Sequence, residues 1–423
     1  MKKLLLILLT VALAVTLAFA LTSCGGPKIT YELSEDGTYY IVDQVRFEAP
    51  DAEVVIPEEY EGLPVKEIGY DAFIAEMNDS FITKLIIPAS VTKMNENGIG
   101  ELCRYQQGTD TSAFVTDIYY GGTEQQWFTM MDGGNCRFYN LYINETLVTS
   151  PTIPADMNVI PEEYANGCMS LTEVILPSTV TAVGRAAFSD CYNLATITIP
   201  ETVGSIEGYA FSGCYNLTTL NYSAVNATIG KTTDTSRDDN GGVFQSMGTK
   251  GAGTVVYINK SVEVIPDYFL YANSWSDTGV NVKKFVIADE CNFKKIGVFP
   301  FANTISENSE FTTEGGLIYI GSAANPYMFC GGAADINISA AEINEKCLYI
   351  LDSSFKNCDK LETITIPKSV IYIGCQAFYT VDNITFESTS GWKIIGTNKA
   401  ANLDYIDFGY TKDEYSKGIT KMN

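Results

Sequence analysis

The chain of 423 residues contains no histidine. That removes Ser-His-Asp and Cys-His catalysis, histidine zinc sites and histidine pH switches together. Charge is also scarce. Only 18% of residues are charged, below the roughly 25% usual in soluble domains, so exposed faces must be weakly charged. Positive charge is the scarcer sign, with 27 basic against 51 acidic side chains and a net charge of −24. Phosphate backbones need a basic footprint, which argues against nucleic acid as a partner, and anionic lipid headgroups are disfavoured for the same reason. Eleven cysteines are present but no Cys-x-x-Cys, so the usual spacing for a thiolate metal cluster is missing. What the chain has is apolar residues, 46% of the total, enough for a sizeable core. Length alone would suggest two or three ordinary domains.

The N-terminus reads as an address. Lys2 and Lys3 precede an apolar run from Leu4 to Ala20, and Leu21-Thr22-Ser23-Cys24-Gly25-Gly26 follows. The run is near the lower limit for a membrane-spanning helix, so a retained anchor is one reading. A cleaved secretory signal over residues 1–23 is another. The tetrapeptide ending in Cys24 resembles a bacterial lipobox: a branched apolar residue, two small residues, then Cys. That resemblance implies a new N-terminal Cys24 carrying lipid, which would hold the protein by buried methylenes. An ordinary cleavage site beside a chance Cys remains the plainer alternative. Residues 24–30 would form a tether.

The remainder is repetitive, and self-similarity outranks other fold signals. Leu171, Val174, Leu176-Pro177, Val180, Val183-Gly184, Ala187-Phe188 and Cys191 form one unit. Twenty-three residues later the series returns as Leu194, Ile197, Ile199-Pro200, Val203, Ile206, Ala210-Phe211 and Cys214. A third copy runs Leu361, Ile364, Ile366-Pro367, Val370, Ile373-Gly374, Ala377-Phe378, and Ile82 to Met94 holds a partial one. The phrase Ile-x-x-x-x-Phe also recurs at Ile68/Phe73, Ile296/Phe301 and Ile350/Phe355.

Period-2 spacing in Leu-x-x-Ile-x-Ile predicts a short strand with one buried face. The next Pro lacks an N–H and ends it. Ile-Gly-x-x-Ala-Phe returns the chain along another side, with Gly permitting the bend and Phe filling the space between layers. A single unit cannot cover its own apolar face. Stacking units at the inter-strand distance of about 4.8 Å buries a continuous column.

The pattern Leu-x-x-Ile-x-Ile-Pro-x-x-Val-x-x-Ile-Gly-x-x-Ala-Phe-x-x-Cys resembles the BspA-like leucine-rich repeats of bacterial surface proteins. It departs from the better-known leucine-rich repeat, placing Pro and Val where that repeat carries an Asn ladder after its strand. Val54-Val55-Ile56-Pro57 through Ala72-Phe73, and Tyr120-Gly-Gly-Thr123 through Trp127, are similar to segments of such proteins. The resemblance implies a solenoid of ~23-residue turns with short parallel strands lining one face and irregular or short helical turns opposite. It implies surface exposure, and adhesion or other protein binding. The expected organisation is one leucine-rich-repeat solenoid over residues 31–423, with irregular insertions near 101–145, 223–253 and 303–316. Residues 101–145 read as a distorted pair of turns or an inserted hairpin. Residues 401–423 could cap the last turn, since an open end exposes core and strand edge.

Several residues invite chemical readings. Cys168, Cys191, Cys214 and Cys358 each stand three residues before the Leu that opens a turn. Disulfides are conceivable in an exported protein. A position repeating once per turn fits a buried ladder of small side chains better. Cys103, Cys136, Cys291, Cys330, Cys347 and Cys375 have no clear register. The pairs Glu58-Glu59 and Glu162-Glu163 could suggest a glycosidase, which needs carboxylates facing across a cleft, but adjacent Glu residues in a repeated phrase read as solvated turns. Ser236 to Gly242 faintly resembles a calcium loop, with Ser at the first position and Met247 at the twelfth; a flexible acidic loop is the plainer reading.

The strands should point Thr172, Glu173 and Ile175, then Ala195, Thr196 and Thr198, then Thr218, Thr219 and Asn221, then Glu362, Thr363 and Thr365 outward. Stacked, they would form a Thr-rich stripe of the kind solenoids use for partners, although Thr is favoured on any exposed strand. Trp127, Trp275, Trp392 and the 26 Tyr could stack on sugars or anchor contacts, with packing as their ordinary role. The expectation is a lipid-anchored monomer at the cell envelope. It would have no metal, cofactor or catalytic residue and would bind surface proteins or glycans. A structural envelope component binding proteins of its own cell is the alternative, and a glycan hydrolase a distant third. If Cys24 is lipidated, growth with a labelled fatty acid labels the chain, and Cys24→Ser abolishes both label and membrane fractionation. Unchanged labelling of that variant would refute lipidation at this residue.

Overall fold

Alternation decides the strands. Leu194, Ile197 and Ile199 are wholly buried, whereas Thr196 and Thr198 between them are half-exposed. The computed structural model describes residues 27–47, 52–75, 82–95, 98–99, 115–130, 139–230, 242–271, 279–297, 300–301, 310–356, 358–378, 381, 383–394 and 419–421. The expected signal peptide and Cys24 lie outside them. Two compact units result, Met1–Val148 and Thr149–Asn423. Among the described residues, no helix is long and apolar enough to cross a membrane.

In the second unit each turn has three sides. On the first, strands Glu173–Ile175, Thr196–Ile199, Thr219–Tyr222, Thr254–Ile258 and Val282–Ile287 form a parallel sheet. Its register places Val174, Ile197, Leu220, Val256 and Phe285 in one inward column. On the second side, the two-residue strands Val159–Ile160, Ala182–Val183, Ser205–Ile206 and Thr228–Ile229 pair in parallel and bury Ile160, Val183, Ile206 and Ile229. The third side carries the phenylalanines. Phe188 stacks on Phe211 at 5.4 Å and Phe211 on Phe244 at 5.5 Å, with rings within 6° of parallel. Each such pair contributes roughly 0.5–1.5 kcal/mol beyond burial.

Backbone hydrogen bonds join turn to turn and change sense between sides. On the second side the later turn donates, as from Gly184 N–H to the Ile160 carbonyl at 2.8 Å. On the third side the earlier turn donates, as from Ala186 N–H to the Gly208 carbonyl at 3.0 Å. A left-handed residue stands at that switch in turn after turn: Glu163, Ala186, Tyr209, Tyr268, Ser353 and Gln376 have φ between 51° and 61°. The conformation costs roughly 1 kcal/mol for a non-glycine residue, and it aims the peptide N–H at the next layer. Gly184 answers a different need. A Cβ there would lie 2.7 Å from the Glu162 nitrogen and 2.8 Å from the Ile160 carbonyl oxygen, so its small size sets how closely turns approach.

Of two expected insertions, the first holds repeat structure and the second opens a longer break. Within 223–253, Thr228–Ile229 is a strand and Phe244 takes its place in the phenylalanine column, while residues 231–241 lie outside the described residues. Near 303–316 the parallel order breaks. Leu317–Ile320 runs antiparallel to both Thr312–Glu314 and Phe329–Ala333. Parallel pairing then resumes in Phe329–Ala333, Tyr349–Ile350 and Tyr372–Ile373, and in Ala340–Glu342, Thr363–Ile366 and Asn383–Phe386. Near the C-terminus, Ile419–Thr420 pairs antiparallel with both Tyr372–Ile373 and Lys393–Ile394.

The first unit opens with a hairpin, Lys28–Leu33 against Tyr40–Phe47. Residues 28–30 of the expected tether are therefore already strand. Leu63–Ile68 and Phe73–Ala75 add in parallel. A second sheet contains Ala52–Val55, Ile82–Ile87, Thr116–Tyr120 and Tyr139–Ile143 in parallel, with Thr146–Leu147 closing a hairpin. Ile118 faces Leu141, 23 positions on. Of residues 101–145, then, the described part is repeat-like strands joined by a short helix, Glu124–Met130, ending in a hairpin. Thr123 caps that helix: its hydroxyl accepts from Gln126 N–H at 3.2 Å, and Gln126 Oε1 accepts from Thr123 N–H at 2.8 Å. Glu67 is nearly sealed from solvent and is held by Lys93 at 2.8 Å, Asn95 at 2.8 Å and the Tyr39 hydroxyl at 3.1 Å. The period gives no hint of this network.

Phe211→Ala should cost about 3–5 kcal/mol by leaving a cavity between layers. Gly184→Ala should cost about 1–3 kcal/mol by forcing two turns apart. Urea unfolding followed by circular dichroism measures both, and wild-type midpoints would contradict the interlayer packing described here.

Candidate functional site

The outward stripe is built by the register of the five-stranded sheet. Glu173, Thr196, Thr219 and Val255 face one another in sequence along one column, and Ile175, Thr198, Asn221 and Tyr257 along the next. Asn221 donates to the Thr198 hydroxyl at 3.2 Å. Thr172 and Thr218 precede their strands and donate to the carbonyls of Thr149 and Ala195 in the preceding turn, at 3.3 and 3.0 Å. Ile175 is 51% exposed and Tyr257 37%, so apolar side chains flank the hydroxyls. The stripe is not continuous over all the expected positions. Thr363 and Thr365 belong to the separate three-stranded sheet, opposite Ala340 and Asn383, and Glu342 and Thr385. The antiparallel hairpins interrupt the array between the two sheets. Of the eight expected residues, Glu173, Thr196, Thr198 and Thr219 thus share one sheet, Thr172 and Thr218 directly precede its strands, and Thr363 and Thr365 belong to another sheet.

The cysteine ladder is buried. Cys168, Cys191 and Cys214 are fully enclosed, and Cys358 nearly so. All four are free thiols. The Cys191 thiol donates to the Ala165 carbonyl at 3.2 Å and Cys214 to that of Phe188 at 3.5 Å. Burial pushes the Cys191 thiol well above its ordinary pKa and raises Cys214 as well. Of the cysteines without register, Cys330, Cys347 and Cys375 are also buried free thiols, Cys291 is half-buried, and Cys103 and Cys136 lie outside the described residues. Burial raises Cys330 to about 12 and Cys375 to about 11. A thiolate is the reactive and metal-binding form, so these side chains are packing elements.

Neither carboxylate pair forms a cleft. Glu58 and Glu59 are exposed at a tight hairpin. Glu162 meets Arg185 at 3.4 Å, and Glu163 is one of the left-handed residues. Among the described residues no group of three or more Cys, Asp or Glu could hold a metal ion. Residues 236–241 of the acidic loop, and Trp275, lie outside them. Trp127 is sealed between Tyr120 and Tyr139, at 5.6 and 6.0 Å. Trp392 is 3% exposed and donates to the Ser388 carbonyl at 3.2 Å. Both are core residues, not stacking platforms.

Two features went unread in the sequence. Asn193 and Asn216 donate to the carbonyls of Met169 and Tyr192, at 2.9 and 3.1 Å, making a short asparagine ladder before the strand, not after it. Tyr119 and Tyr142 stack at 4.4 Å on the outer face of the first unit, with the Lys84 ammonium 5.2 Å from the Tyr119 ring. Both pairs are spaced by 23 residues, so the repeat period itself was the available signal. The ladder thiols should resist alkylation in the native protein and react once it is unfolded in guanidinium. Native labelling at Cys191 or Cys214, read by peptide mass spectrometry, would contradict their burial.

Residues 138–233 and 269–407 match the model of the "BspA type Leucine rich repeat region" in six copies. Among solved structures, a leucine rich cell surface protein from Faecalibacterium prausnitzii A2-165 is 20% identical, with 88% of this chain and 97% of that one covered and a TM-score of 0.36. A leucine-rich repeat protein from Bacteroides ovatus is 18% identical, covering 84% and 86%, with a TM-score of 0.45. The Leucine Rich Repeat protein of T. pallidum is 22% identical over 52% of this chain and 87% of its own, with a TM-score of 0.29. No curated protein matches the sequence.

Proposed function

The chain belongs to the BspA-type leucine-rich-repeat family, and we propose that it is a non-catalytic binding protein of the bacterial cell envelope. Lipid on Cys24 would hold it at a membrane, with the repeats displayed outward to proteins or glycans at the cell surface. The observation that carries the reading is the pair of outward columns on the five-stranded sheet. Rich in hydroxyls, with Glu173 the one charge among the residues named, they suit many modest contacts along an extended face more than chemistry at one point. Threonine is stiff at χ1, so little side-chain freedom is lost when such a face is covered. The apolar run from Leu4 to Ala20 and the lipobox-like tetrapeptide ending in Cys24 support the location. The solvated or ion-paired state of the described glutamate pairs supports the absence of catalysis.

The test uses residues 25–423 against immobilised matrix proteins, mucin and a polysaccharide panel, by interferometry with and without calcium. Saturable binding is expected to at least one surface. Thr196→Lys, Thr198→Lys and Thr219→Lys should each weaken it at least tenfold without lowering thermal stability. Binding that ignores all three substitutions would remove the stripe from the interface. Failure to bind any surface, together with recovery of envelope proteins from the producing cell, would favour the structural-component reading.

A further inference from the structure

Where the five-stranded sheet ends, the second unit opens. Val282–Ile287 is its last strand, and among the described residues a bridge from Ile287 to Ser322 continues the layer. The chain then departs into the antiparallel hairpin of Thr312–Glu314 and Leu317–Ile320. Between strand and hairpin lies a cavity of about 410 Å³, toward the small end of the roughly 300–1,000 Å³ range of small-molecule sites. We propose that this cavity binds a neutral hexose unit, free or at the end of a glycan.

Three groups on its wall carry the argument. Phe311 is half-buried and lies 6.2 Å from Phe285 with the rings 22° apart, so its orientation is fixed from behind. Asp289 is held in place by the Ala324 N–H, donating to Oδ1 at 2.7 Å, and by the Ser322 hydroxyl; these hydrogen bonds keep its carboxyl below the usual range. A carboxylate offers about four acceptor positions, so acceptor capacity remains for a ligand. Lys284 stands exposed on the same wall, while its neighbour Lys283 is engaged by Glu310 at 3.3 Å.

This set selects by exclusion and by fit. An anionic ligand would meet the ionised Asp289 and a chain of net charge −24. A cation would be repelled by Lys284, and the second carboxylate of the wall, Glu310, is already engaged by Lys283. A wholly apolar ligand would strand both charges against hydrocarbon, which is costly. A pyranose carries groups that suit all three. Its hydroxyls donate to Asp289 and accept from Lys284, and one ring face of C–H bonds packs against Phe311. The site begins where the threonine columns end, since Lys284 faces Val255 in register, but it shares no residue with them. It goes beyond the stripe reading, and either can fail alone.

The experiment uses the full chain in mild detergent, titrated with glucose, galactose, mannose, N-acetylglucosamine and their short oligomers by calorimetry and saturation-transfer NMR. At least one sugar should bind saturably, with a dissociation constant on the order of millimolar for a single ring. Asp289→Asn and Phe311→Ala should each weaken it at least tenfold, and Asp156→Asn, an exposed change in an early turn of the same unit, should leave it unchanged. Thermal unfolding controls for folding. If Phe311→Ala unfolds, the exposed Asp289→Asn decides alone. No saturable binding by any sugar in the panel would overturn the proposal, as would wild-type affinity in Asp289→Asn. Displacement of bound sugar by Thr198→Lys would place the site on the stripe instead.

Discussion

Everything in the repeating part of this molecule follows from one constraint. Each turn must climb by one inter-strand spacing of about 4.8 Å, because backbone hydrogen bonds tie every layer to the next. Equivalent residues therefore stand above one another, and any side chain that suits one layer recurs as a column. The phenylalanines become a stack of near-parallel rings. The thiols become a ladder that reaches back to carbonyls of the preceding layer. Gly184 is small because anything larger would hold its layer away from the one before. The left-handed residues recur because the hydrogen bonds must change direction at the same corner of each turn.

The same constraint explains what was legible in the sequence. A 23-residue period with matching apolar positions could only mean stacked turns, and the strand faces followed from alternation at Ile197 and Ile199. The division of the threonine stripe was not legible. Thr363 and Thr365 repeat the motif of Thr196 and Thr198 letter for letter, so nothing local reveals that a pair of hairpins separates the two sheets. Composition misled near Thr228 and Phe244, where a segment rich in Thr, Gly and Asp still supplies its two structural residues. Glu67, Lys93, Asn95 and Tyr39 meet through a network specific to the first unit, and a period cannot report what occurs once.

Function is readable to the degree that it follows the columns. A regular array offers a surface whose character is averaged over layers, here uncharged hydroxyls edged by Ile175 and Tyr257. Chemical individuality arises where regularity fails. The end of the five-stranded sheet, where a strand loses its parallel neighbour, brings an aromatic ring, a fixed carboxylate and an ammonium group to one wall. Broad recognition and pointed recognition would thus come from the order of the array and from its interruption.

The last strand has a consequence for the population of molecules. A stack of identical layers is a one-dimensional crystal, and its exposed end is a template on which a second copy could continue growing. Ile419–Thr420 runs against the direction of the ladder and, among the described residues of that sheet, leaves the two-residue strand Lys393–Ile394 beyond it. An incoming turn would find a stub at that edge in place of a full layer. Nucleation of a fibre at that edge is discouraged by this short antiparallel segment, so crowded copies of the chain can remain separate.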